Sequence, residues 1–151
     1  MTYEDLLIEA EDNSLVVKEK PLRANNGRIK GNRVAIRKGL TEIEKACVLA
    51  EELGHHHTTV GNILDLSDAQ NAKQERQARL WAYNKKIGLK GILDAHQHGC
   101  RDRYEMAEYL EVTDAFLEDA VDCYKDKYGE FVVVDNYIIY FIPNLMIGQM
   151  I

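Results

Sequence analysis

The chain has 151 residues, 46% of them hydrophobic, and carries 19 Lys and Arg against 25 Asp and Glu for a net charge of −6. That length and apolar content suit one domain with a real core, and the acidic balance argues against broad binding to a phosphate backbone. The acidic start MTYEDLLIEAEDN lacks the regions of a signal peptide, no uncharged apolar run reaches transmembrane length, and Cys47, Cys100 and Cys123 form no C-x-x-C pair, so a cytoplasmic chain with reduced thiols and no membrane partner is expected.

Tyr3 to about Glu11 reads as a helix with Leu6, Leu7 and Ala10 on its buried side, broken at Asn13-Ser14. Leu15-Val16-Val17 opens an extended segment. Two β-prone runs, Arg28-Ile29-Lys30 and Arg33-Val34-Ala35-Ile36-Arg37, flank Gly31-Asn32, the signature of a hairpin. Arg28, Lys30, Arg33, Arg37 and Lys38 make this hairpin the only local concentration of basic charge. Such a cluster suits an acidic partner or nucleic acid, and a solvated strand face has the same composition.

The hairpin runs into TEIEKACVLAEELGHHHT, residues 41–58. Thr41 with Glu44 three positions on fits a capping box, and Ala46, Leu49, Ala50 and Leu53 recur at helical spacing. Glu51 and His55, four apart, then share a face and can ligate one metal ion, with Glu52 about 100° round the helix beside it. This is the H-E-x-x-H arrangement of metalloproteases with Glu51 in the first His position. A surface face of Glu and His gives the same letters. Gly54, costly inside a helix, implies close approach of a neighbouring backbone. His56 and His57 suit the negative end of the helix dipole, Cys47 a buried small hydrophobe, and Gly61-Asn62 the end of the element.

Ser67 with Gln70 signals a second capped helix, Asp68 to roughly Ile87, bearing Ala72, Glu75, Ala78 and Ala82 on one face. A carboxylate in a row of alanines needs a cation or donors when a second helix packs there, and a metal shared with Glu51 and His55 would provide one. Trp81 and Tyr83 suit core packing or the lining of a peptide pocket. Lys85 to Leu93 reads as a loop followed by the start of another helix, with His96 and His98 beyond it as loop or surface residues.

Residues 102–128 have the apolar pattern of helix, turn, helix, yet Asp114, Glu118, Asp119 and Asp122 lie on the second helix, where phosphates would be repelled; a structural or protein-binding role follows, without direct nucleic-acid contact. Phe131 to Val134 and Tyr137 to Ile142 form a hairpin about Asp135-Asn136, ended by Pro143.

Leu49-Ala50-Glu51-Glu52-Leu53-Gly54-His55 followed by Glu75-Arg76-Gln77-Ala78-Arg79-Leu80-Trp81-Ala82 resembles the LAHELGH and E-x-E-A-x-x-x-A motifs of the ImmA/IrrE family of zinc-dependent endopeptidases of phages and mobile elements. The resemblance covers most of the chain, departing at Glu51, which replaces a His, and at Gln77, which replaces an acid. It implies Glu51, His55 and Glu75 as metal ligands, Glu52 as general base, and a substrate that is a helix-turn-helix repressor. One imidazole and two carboxylates suit Zn²⁺, with Mn²⁺ or Mg²⁺ favoured more than usual by the oxygen donors. By the same resemblance Val34, Ala35, Ile36 and Arg37 are the strand expected to receive the substrate as an added strand.

The expected fold is thus α+β, a minimal zincin-like core over residues 1–95, with the metal between helices 42–57 and 68–87 and a C-terminal helical segment and hairpin over 96–151 packed in the same domain. The expected function is a metal-dependent endopeptidase. The alternative is a protease scaffold that binds a regulator without cutting it, and Glu51 is the residue that favours it.

Overall fold

The computed structural model describes residues 1–58 and 68–150. It is α+β and divides into two compact units, Met1–Lys86 and Ile87–Ile151.

In the first unit, helix α1 (Tyr3–Asp12) begins at a capping box in which Thr2 Oγ1 accepts from the Asp5 amide and Asp5 accepts from the Thr2 amide. It buries Tyr3, Leu6 and Ala10, while Leu7 is only half-buried. Ser14, at φ +60°, turns the chain into strand β1 (Val16–Lys20). Strands β2 (Gly27–Lys30) and β3 (Arg33–Arg37) form the expected hairpin, with Gly31 at φ +60° supplying the left-handed residue of its turn. β1 then pairs parallel to β3, giving a three-stranded sheet in the order β1-β3-β2. That pairing joins segments distant in sequence, and no local pattern announces it.

Alternation along the strands puts Val34 and Ile36 on the inner face, 2% and 0% exposed. Helix α2 (Glu42–Thr58) packs on that face, on α1, and most extensively on α3 (Asp68–Lys86). Its start is the predicted box: the Glu44 amide donates to Thr41 Oγ1 and the Thr41 amide to Glu44 Oε1, each at 3.1 Å. The Gly61-Asn62 stop and the Ser67 side of the second capping box lie outside the described residues. On α3, Ala78 and Ala82 are buried as expected, together with Tyr83, whereas Ala72 is exposed. Lys85 Nζ meets Glu9 Oε1 at 2.8 Å and Lys86 Nζ donates to the Met1 carbonyl, fastening the end of α3 to the N-terminal helix.

The second unit starts without the loop expected after Lys85. α3 runs to Lys86, and α4 (Gly88–His98) begins two residues later, because Gly88 at φ +65° makes the turn alone. Helices α5 (Arg103–Leu110) and α6 (Asp114–Tyr128) are capped by Asp102 and Thr113, whose side chains accept from the amides of Glu105 and Phe116. Tyr124 is fully buried, and its hydroxyl accepts from the Gly88 amide at 3.2 Å. His96 and His98 occupy the last turn of α4 rather than a loop, His98 stacked on Tyr109. Strands β4 (Phe131–Val134) and β5 (Tyr137–Tyr140) are the predicted hairpin, extended by a third strand, β6 (Met146–Gln149), that short run of Met, Ile and Gly having given no strand signal. Among the described residues no helix is long and apolar enough to cross a membrane.

Candidate functional site

The site is built on the closest approach of α2 to α3. An ideal Cβ on Gly54 would collide with the Ala78 carbonyl oxygen and lie 3.1 Å from its carbon, so the missing side chain is what lets the two backbones meet. Leu49 and Leu53, both 0% exposed, anchor the same stretch of α2. The next residue, His55, is thereby held opposite Glu75, with Nε2 3.6 Å from Oε2. Arg79, one turn further along α3, has Nε 3.3 Å from the other Glu75 oxygen. Sequence reasoning passed over Arg79, although an acid and a base four apart on a helix are a common pair.

Glu52 faces the sheet. A Cβ on Gly27, the first residue of β2, would lie 3.2 Å from both Cγ and Oε1 of Glu52 and would strike Val48. Glycine at the head of that strand therefore makes the space the carboxylate occupies, a role that no motif around Gly27 advertises. Glu52 is 8% exposed, and burial in the first place, then the charges of Glu51 and Glu75, push its pKa from the ordinary 4.5 up to about 7.

His55 and Glu75 fit as two ligands of one ion: bonds of roughly 2.0–2.2 Å at a tetrahedral angle put donor atoms about 3.4 Å apart, close to the 3.6 Å found here. Glu51 does not complete the set in this arrangement. Among the described residues no three His, Cys, Asp or Glu side chains converge closely enough to hold a metal. Glu51 and Glu75 are nonetheless both near enough to Glu52 to raise its pKa. The region thus concentrates negative charge around a buried carboxyl, with one imidazole at its edge.

Val34, Ala35, Ile36 and Arg37 form the centre of the sheet, paired with β1 on one side and β2 on the other. Their backbone has no side left for a further strand. Among the described residues no strand pairs with the outer edge of β2, the strand whose Gly27 lies against Glu52. Of the other candidates, Cys47 is buried and Cys100 and Cys123 are half-buried, and none of the three forms a disulfide among the described residues. His57 stacks on Trp81 with centroids 4.7 Å apart, and Lys85 Nζ lies 5.6 Å from the same ring, so Trp81 is covered from within its own unit. Burial and the neighbouring His56 lower the pKa of His57.

The family model for the IrrE N-terminal-like domain, Peptidase_M78, matches residues 9–121, about three quarters of the chain, and spans every residue of the site. No curated protein and no solved structure gives a match.

Proposed function

We propose that this chain, which belongs to the IrrE N-terminal-like (Peptidase_M78) family, is a metal-dependent endopeptidase that hydrolyses a peptide bond in a protein, with Glu52 as its general base. Family membership brings the metal-dependent, protease-like chemistry; the assignment of residues is our reading. The observation that carries it is Glu52 itself, a buried carboxyl pushed up to about 7 between α2 and the open edge of the sheet. A general base works best with a pKa near the working pH, and burial moves Glu52 in that direction.

In this reading His55 and Glu75, with Glu51 as the third donor, would hold one divalent ion, zinc first and manganese second. The ion, when bound, polarises the scissile carbonyl and acidifies a water. Glu52 accepts the proton of that water on its carboxylate and passes it to the departing amine. The peptide lies along the outer edge of β2 by main-chain hydrogen bonds, while Val34 to Arg37 hold β2 in register from the other side. The family resemblance points to a helix-turn-helix repressor as substrate and to the cytoplasm as the setting.

Incubation of the zinc- or manganese-loaded chain with such a repressor, followed by mass analysis of fragments, tests the reading. Glu52→Gln keeps shape and metal and should lower the rate by at least ~10²-fold, the scale of a lost general base. Glu51 supports a second reading, a scaffold that binds its partner and does not cut. If Glu51→His produces no cleavage and Glu52→Gln is silent while the partner still binds, the second reading replaces the first.

A further inference from the structure

The outer face of the β1-β3-β2 sheet, turned away from α2, is dense in Lys and Arg. Strand register places Lys18 and Lys20 of β1, Arg33 and Arg37 of β3, and Arg28 and Lys30 of β2 on this one face, all six exposed. Five of them, all but Arg37, line a hollow of about 390 Å³ over Val16 and Ala35. Glu19, the only acidic residue in the three strands, points the other way and pairs with Lys45 of α2 at 3.0 Å. Among the described residues none of the six cations is paired with a carboxylate.

This arrangement works against the stability of the sheet. Lys30 stands directly opposite Arg33, and Lys20 directly opposite Arg37. Like charges at such cross-strand positions repel, where an opposite pair would have stabilised. Six of the chain's 19 Lys and Arg gather on this one face, in a chain with 25 Asp and Glu.

We propose that this face is a docking site for an acidic polypeptide segment. Strands about 4.8 Å apart and roughly 3.3 Å per residue give a footprint near 10 by 16 Å, the reach of about five extended residues. Lys18 and Lys20, and likewise Arg28 and Lys30, are two positions apart along a strand, so their side chains repeat at about 6.6 Å, the repeat of an extended chain with an acid at every second residue. Nucleic acid fits less well. None of the side chains on the face is aromatic, so no base can stack.

The inference concerns binding alone and requires no hydrolysis, so its failure and the failure of the peptidase reading appear in different assays. Fluorescence anisotropy of the full-length chain with a labelled Glu-Thr repeat octapeptide, its Lys-Thr counterpart and a random short duplex tests it. The acidic peptide should bind with a Kd on the order of 10 µM at low salt and lose about tenfold in affinity when ionic strength is raised fourfold. The triple variant Lys18→Glu, Lys30→Glu, Arg33→Glu should weaken binding by at least ~30-fold, and the milder Lys18→Gln, Lys30→Gln, Arg33→Gln by about tenfold, with circular dichroism unchanged in both. No acidic-peptide binding, binding that survives both variants, tighter binding of the duplex, or salt-sensitive self-association through this face in sedimentation would each overturn the assignment.

Discussion

Replacing Glu52 by Gln should stabilise the metal-free protein above about pH 4.5, most fully above about 7. Unfolded, the carboxyl titrates near its ordinary 4.5; folded, it titrates at about 7. Below 4.5 both states hold the proton and nothing is lost. As pH rises toward 7 the unfolded chain releases its proton while the folded chain keeps it, so stability declines, and above 7 the folded chain carries a buried charge. A rise from 4.5 to about 7, at about 1.4 kcal/mol per pH unit, corresponds to about 3 kcal/mol at full ionisation. The amide that replaces the carboxyl cannot ionise, so urea unfolding in the presence of chelator should find wild type and Glu52→Gln close together at pH 4 and separated by about 3 kcal/mol at pH 8, the variant being the more stable. Comparing the two proteins at each pH cancels the titration of most other groups. A separation that stays flat from pH 4 to pH 8, or the wild type proving more stable at pH 8, refutes the argument that burial and the carboxylates of Glu51 and Glu75 raise this group.

Double substitution His55→Ala with Glu75→Ala should abolish stoichiometric zinc or manganese by elemental analysis, and full retention would dismantle the proposed centre. Excess zinc should raise the stability of wild type by about 2.7 kcal/mol at a hundred times its Kd and leave that double variant unmoved in the same urea titration. Gly54→Ala puts a methyl group where the Ala78 carbonyl lies and should cost about 3 kcal/mol as α2 and α3 are forced apart; unfolding at the wild-type denaturant midpoint would contradict the contact. Tyr124→Phe leaves the Gly88 amide without its hydroxyl acceptor and should cost about 1–2 kcal/mol, measured by thermal or urea unfolding.

What the sequence disclosed follows the range of the interactions involved. Thr41 and Glu44, Gly31-Asn32, and the Asp102 and Thr113 caps act within three or four residues, so the helix start, the hairpin and the α5–α6 pair were legible in the letters or close to them. Glu51, Glu52, His55 and Glu75 were legible as a constellation because two helices of regular pitch carry them. Gly54 foretold a close backbone, though not that Ala78 would supply it. The parallel pairing of Val16–Lys20 with Arg33–Arg37 was hidden because it depends on a contact across the chain. That pairing matters for the site, since it puts Val34 to Arg37 in the middle of the sheet and leaves β1 and β2 as its outer strands. The raised pKa of Glu52 was out of reach for the same reason: it arises from burial against Gly27, twenty-five positions earlier in the chain.

Among the described residues no strand pairs with the outer edge of β2, and an unpaired edge is available to the same edge of another molecule, the usual beginning of unwanted sheet growth. On β2 that edge carries Arg28 and Lys30, both exposed and both on one face. Two copies pairing edge to edge would bring four cations onto one surface with no carboxylate among them, whereas a strand bearing acidic side chains would meet attraction at the same positions. The edge therefore discriminates by charge before any side-chain pocket is consulted. Edge-to-edge pairing of two copies is thereby disfavoured, while an acidic strand would be favoured at the same positions.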